Sequence, residues 1–152
     1  MGTNMSNGLI RQKWIVRRDL HAYPNRLYAF GDNMARLGYG GQAREMRGEP
    51  NAVGIPTKWA PTTNEKAYFT DDILVPPIPY ITTEQMLKFH PNQRVIDSID
   101  KGFAKLRDYL AAGGEVVIPT DGLGTGLSEL PTRAPRIHAY IEAWIRGLEE
   151  VL

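Results

Sequence analysis

The sequence contains no cysteine. That excludes disulfides, thiol catalysis and cysteine-ligated zinc, and it fits a reducing cytoplasm. Surplus charge is missing too, with 18 Lys and Arg against 17 Asp and Glu, a net +1. A broad nucleic-acid footprint needs a basic excess that this chain lacks. The local group Arg11, Lys13, Arg17 and Arg18 reads as a solvated strand edge. No apolar run approaches the ~18 residues of a membrane-spanning helix, so no membrane partner is expected. The opening MGTNMSNG has no apolar signal core. The histidines, His21, His90 and His138, sit in unrelated segments without ligand spacing. No metal site and no resident cofactor are therefore expected. No Ser-His-Asp arrangement is legible either.

What is present fits one globular domain. A chain of 152 residues, 42% hydrophobic and 23% charged, can bury its own core. Residues 1–12 read as a flexible lead-in and 13–152 as a single domain. Apolar runs predict strands in KWIVRRDL (13–20), NRLYAFGDN (25–33), AVGIPTKW (52–59) and EVVIPTD (115–121). The second and third suit inner strands of a covered sheet. GQAREMRG (41–48) reads as a short helix between glycines. Over 91–114, Val95, Ile96, Ile99, Phe103, Leu106 and Leu110 recur at helical spacing, and Gly113 and Gly114 end the helix. A last helix over about 133–150 shows Ile137, Tyr140, Ile141, Trp144, Ile145 and Leu148 on one face, with Thr132 as its expected N-cap. Residues 60–83 are rich in Pro and Thr and read as a long loop, a lid or a partner arm. Strands alternating with amphipathic helices predict an α/β fold, a three-layer α/β/α sandwich on a mixed, mostly parallel sheet.

Right-handed crossovers in such a fold gather the strand-to-helix loops on one rim, where ligands sit. Two of these loops are glycine-rich. One holds Gly38, Gly40 and Gly41 after Asp32 and Asn33; the other holds Gly122, Gly124 and Gly126 after Thr120 and Asp121. Glycine lets a ligand approach the backbone, and successive N–H groups can converge on an anion, helped by a following helix N-terminus. Two such loops on one rim would hold a diphosphate between them. Neither is a P-loop, because GK[ST] is absent, and GYGGQA has the wrong spacing for a dinucleotide fingerprint. GIPTK (54–58) and VIPTD (117–121) are near-copies at strand ends, which would set Thr57 and Thr120 on the same rim.

At this point the chain resembles a macrodomain. VVIPTDGLGTGLSELPTRAPRIHAYIEAWI resembles that family's apolar strand, second phosphate loop and closing helix. GDNMARLGYGGQA resembles its Asn-containing turn and first phosphate loop, and AVGIPTK the strand that follows. The nearest branch includes hydrolases of ADP-ribosylated glutamate and antitoxins that remove ADP-ribose from DNA. The resemblance covers most of 25–150, interrupted at 60–83. It implies an ADP-ribose pocket in which the glycine loops, with Gln42, Thr125 and Leu127, wrap the diphosphate and distal ribose. Asp32 or Asn33 would contact ribose or adenine, and Tyr39, Trp59 or Tyr68 would cover a ring face.

Two departures bear on catalysis. The branch uses a lysine on the helix after the first glycine loop as a nucleophile. The nearest position here holds Arg47, which cannot deprotonate to form a Schiff base. The branch also places an Asp shortly after the second glycine loop, where this chain has Ser128 beside Glu129. The candidate ionisable groups are then Asp32, Asp121 and Glu129 as general bases and Lys58 as a phosphate contact or displaced nucleophile. Three functions stand at this stage. They are binding of ADP-ribose or an ADP-ribosylated macromolecule, hydrolysis of an ADP-ribosyl bond or dephosphorylation of an ADP-ribose phosphate, and a non-catalytic scaffold that docks a protein or a second copy through 73–81.

Overall fold

The computed structural model describes residues 7–71 and 93–152. The 73–81 arm, Asp72 and His90 lie outside the described residues. In chain order the elements are β1 (Leu9–Gln12), α1 (Arg17–Ala22), β2 (Arg26–Asn33), α2 (Ala43–Met46), β3 (Ala52–Lys58), a 3-10 turn (Glu65–Ala67), α3 (Gln93–Ala111), β4 (Glu115–Pro119), α4 (Leu130–Arg133) and α5 (Pro135–Leu148).

The strands pair in the order β1-β4-β2-β3, and every pairing between these four strands is parallel; an isolated antiparallel bridge joins Lys58 to Tyr68. The sheet is therefore wholly parallel among the described strands rather than mixed. Alternation of side chains across the pleat explains the layers. Leu27, Ala29, Val53, Ile55, Val116 and Ile118 enter one core with the apolar faces of α3 and α5. Tyr28, Phe30 and Val117 enter a second core with Ile15 and Leu20 from the α1 region and Ala43 and Met46 from α2. Helices thus cover both faces, which is the three-layer α/β/α sandwich.

The two long helices follow their periodicity. Every apolar residue singled out on α3 is buried. The helix closes on Gly113 at φ +91°, with Gly113 N donating to Leu110 O at 2.9 Å and Gly114 N to Tyr109 O at 2.8 Å. Those two bonds form a Schellman cap, which needs a left-handed residue. On α5, Tyr140 and Trp144 stay partly exposed and both donate to Asp100 Oδ1, at 2.5 and 2.9 Å, tying α5 to α3.

Four expectations are corrected. Residues 13–20 do not form a strand; the strand lies earlier, at Leu9–Gln12, so the lead-in does not extend to residue 12. Asp19 decides this locally. Its carboxylate accepts from Val16 N at 3.0 Å while its own N donates to Val16 O at 2.8 Å, which starts α1. β3, expected as an inner strand, ends the described strand order; among the described strands it pairs with β2, and its last residue, Lys58, bridges to Tyr68. Thr132 does not cap the last helix. It lies in the single turn α4, and α5 begins at Pro135. Asp71 instead meets the first turn of α5, accepting from Arg136 N at 3.1 Å.

Parallel pairing brings the C-terminal ends of all four strands to one rim. The loop after β2 and the loop after β4 leave from there.

Candidate functional site

Between those loops lies a cavity of about 460 Å3. That is within the range of small-ligand sites. Its lining includes all the sequence-predicted site residues except Thr120 and Glu129. The two glycine loops meet directly. A Cβ on Gly40 would stand 2.9 Å from Leu127 Cδ1, and one on Gly31 would stand 3.5 Å from Gly124 N. Leu127 is thus the point where the second loop touches the first.

The first loop is shaped from below by three side chains. Asn33 Nδ2 donates to Leu37 O at 2.8 Å, closing the turn. Asp32, nearly fully buried, pairs with both Arg47 and Arg36. Arg47 then reaches back to the loop, donating from Nε to Gly38 O at 2.6 Å and from Nη2 to Leu37 O at 3.1 Å. Because a peptide is planar and trans, its carbonyl and the next N–H point in opposite directions. Arg47 therefore turns the N–H groups of Gly38 and Tyr39 away from itself. Gly38 takes φ +91°, and a Cβ there would come within 2.7 Å of Pro61 Cβ, so only glycine fits.

Arg36 completes the brace. It adopts φ +57° and donates to Gly54 O at 2.9 Å and Ser98 Oγ at 2.8 Å.

The second loop rests on β3. The β2–β3 register slips between Asp32 and Asn33, so that Asp32 faces Pro56 and Asn33 faces Lys58. Pro56 has no N–H to offer the ladder, and Thr57 is left between the pairs as a bulge. The buried Thr57 hydroxyl donates to Asp32 O at 3.1 Å and lies 2.6 Å from Ser128 Oγ. Gly124 sits against this floor at φ +79°.

Among the described residues, no acceptor is bonded to the amides of Gly38 through Gln42 or Leu123 through Ser128. These N–H groups are free to meet an anion. The helix N-termini do not add to this. α2 and α4 are single turns, and the first turn of α5 is occupied by Asp71.

The ionisable candidates separate by position. Asp32 has its oxygens committed to two arginines and to Asn33 N at 2.8 Å, so it is not placed to take a proton from a ligand. Asp32 and Asn33 both line the cavity, and their side chains hold the loop. Glu129 lies outside the cavity and pairs with Arg133 at 3.2 Å. Asp121 is exposed at the mouth. Lys58 is buried in the wall, donating to Thr62 O at 2.7 Å, with its Nζ 4.3 Å from the centre of the Tyr68 ring. Burial lowers its pKa from the ordinary 10.5; Glu129 opposes the shift and Arg133 adds to it.

Thr120 leaves the rim although VIPTD copies GIPTK. β3 continues through Lys58, whereas β4 stops at Pro119. Thr120 is exposed, its carbonyl taken by Arg11 at 3.0 Å.

None of the three aromatic candidates lines the cavity. Trp59 packs edge-on to Phe69 at 5.3 Å, and Tyr68 is buried between Lys58 and Arg133. Tyr39 is exposed but does not line the cavity. Trp14, 77% exposed, lines the mouth instead, with Lys13 beside its ring. Sequence reasoning missed Trp14 because it read residues 13–20 as a strand. Its position depends on β1 pairing with β4, for which LIRQ carries no strong local signal.

His21 pairs with Glu49 at 2.9 Å, and His138 lies 3.9 Å from Glu142. No group of three or more metal-ligating side chains occurs among the described residues.

Residues 10–144 match a Family of unknown function (DUF7831), and the chain belongs to that family. No curated protein and no solved structure matches the chain.

Proposed function

We propose that the chain binds an ADP-ribose-like nucleotide, with the diphosphate held by main-chain amides of the two glycine loops. The observation that carries this reading is the meeting of those loops at Gly40 and Leu127 around one cavity. Their unpartnered amides give an anion receptor made of backbone, which explains why the loops are glycine-rich. The macrodomain-like pattern of both loops supports the nucleotide class. A bound ADP-ribosyl group could still be attached to a macromolecule, because the mouth is open and rimmed by Trp14, Leu37 and Leu127. Hydrolysis of that bond is the second reading, and Lys58 favours it. It is an amine of lowered pKa in the wall, with no carboxylate bonded to it among the described residues. Of the four ionisable candidates, Lys58 and Asp121 are the two left to act.

Calorimetric titration with ADP-ribose tests the binding reading. Saturable heat and a raised melting temperature are expected. No heat and no shift at millimolar ligand would reject it.

The same titration tests the place of Lys58. An anion beside a lysine of lowered pKa favours the charged form, so binding takes up a proton in the alkaline range. Affinity is then highest below the free-protein pKa and falls as pH rises through it. Repeating the alkaline titration in two buffers of different ionisation heat should give different apparent enthalpies. Identical enthalpies would place Lys58 away from the anion.

A further inference from the structure

The walls of the cavity hold two hydrogen-bond acceptors whose capacity the described residues leave unused. The first is Ser128. Thr57 has one hydroxyl proton, and Asp32 O, a carbonyl, can only accept it at 3.1 Å. The 2.6 Å contact between Thr57 and Ser128 must then be donated by Ser128. Ser128 has spent its proton on the floor and turns only lone pairs to the cavity it lines. The second is Gln42. Its Oε1 is shut off from solvent with no partner among the described residues, and Gln42 lines the same cavity, so a turn of the side-chain amide presents that oxygen to a ligand. A buried acceptor left without a donor is costly, and proteins keep few of them.

From these two groups we infer that the site reads hydroxyl groups as well as the anion. Its ligand class is a diphosphate carrying a sugar whose hydroxyls donate to Ser128 Oγ and Gln42 Oε1. The inference rests on the anion reading above and narrows it. Free amides alone would accept inorganic pyrophosphate equally well. Ser128 and Gln42 add nothing for an anion without donors, because an acceptor oxygen repels it.

The test compares ADP-ribose with inorganic pyrophosphate, which has no sugar hydroxyl. Ser128→Ala also removes the bond to Thr57 that seats the loop, so the readout is the ratio of the two ligands: ADP-ribose should lose about five- to tenfold more affinity than pyrophosphate, the worth of one hydrogen bond. Gln42→Met keeps the side-chain length and removes the acceptor. It should weaken ADP-ribose similarly while leaving the melting temperature of the ligand-free protein unchanged or higher, since an unsatisfied buried group has gone. A residue that only held the loop would weaken both ligands by the same factor.

Equal losses for both ligands, or no loss for ADP-ribose, would overturn the hydroxyl inference and leave the anion site standing. Wild-type binding of pyrophosphate but not ADP-ribose would do the same. Binding of neither ligand would remove both readings.

Discussion

Arg47→Ala is expected to destabilise the protein by about 3 kcal/mol and to abolish measurable ADP-ribose binding. The stability term follows from burial. Asp32 has a side chain only 4% exposed, and Arg47 is 14% exposed. Removing one member of a buried ion pair costs about 3–5 kcal/mol, because the remaining charge stays out of water. Arg36 still holds Asp32 at 3.2 Å, which sets the expectation at the lower end. The binding term follows from the two loop carbonyls. Without the guanidinium, Leu37 O keeps its bond from Asn33, but Gly38 O has no donor among the described residues. The Gly38–Tyr39 peptide is then free to turn, and its N–H loses its fixed direction.

Arg47→Lys separates the two effects. It restores a charge beside Asp32, but its single nitrogen cannot stand at both of the separate positions from which Nε bonds Gly38 O and Nη2 bonds Leu37 O and Asp32. Most of the stability should return while ADP-ribose affinity stays at least tenfold weaker. Urea unfolding and calorimetry on the same samples decide the matter. Full recovery of binding in Arg47→Lys would show that charge alone suffices and that the carbonyl brace is unnecessary.

The second large effect belongs to Gly124→Ala. At φ +79° a Cβ costs about 1–2 kcal/mol in backbone strain. The same Cβ would also lie 2.8 Å from Leu130 Cδ2 and 3.2 Å from Thr57 Cγ2. Leu130 is fully buried in the main core and its N donates to Gly124 O at 2.9 Å, so neither side yields freely. Overpacking of this kind adds about 1–3 kcal/mol. A total loss of about 2–5 kcal/mol is expected, together with loss of ligand binding as the loop lifts off Thr57.

Gly126→Ala is the control two residues on. A Cβ there meets nothing within 4 Å, so stability should change by less than about 0.5 kcal/mol. Thermal or urea unfolding gives the comparison. Equal stability of the two variants would mean that the second loop does not rest on the β3 floor.

The two variants mark where the sequence could and could not be read. Gly124 was legible as a site residue, since glycines spaced between a strand and a helix announce a loop that exposes its backbone. Arg47 was legible only as a missing lysine. Its work depends on Asp32, 15 residues earlier, and on the carbonyls of Leu37 and Gly38, contacts that no spacing rule connects. For the same reason Asp32 read as a free general base when its oxygens are in fact committed. The repeated IPT motif misled about Thr120, because identical triplets leave their strands at different points when one strand runs on and the other stops.

Periodicity fixed much of the frame. The heptad-like face of α3, the apolar runs of β2 and β4 and the glycine cap after α3 depend on neighbours within a few residues, so the chain states them locally. The early strand β1 did not show. Its four residues are mostly half-buried, and they become a strand through pairing with Val116–Pro119, more than a hundred residues away.

The chain alone therefore determined the class of fold, its long helices, the strands β2, β3 and β4, and the pair of glycine loops, because each is written in short-range pattern and backbone freedom. Packing alone decided that the loops touch, that Trp14 reaches the mouth, that Asp32 is sealed by arginines, and that Ser128 and Gln42 keep acceptors to spare. Those outcomes depend on which distant segments come within a few ångströms, and hydrogen-bond direction and burial are properties of that assembly, not of any stretch of sequence.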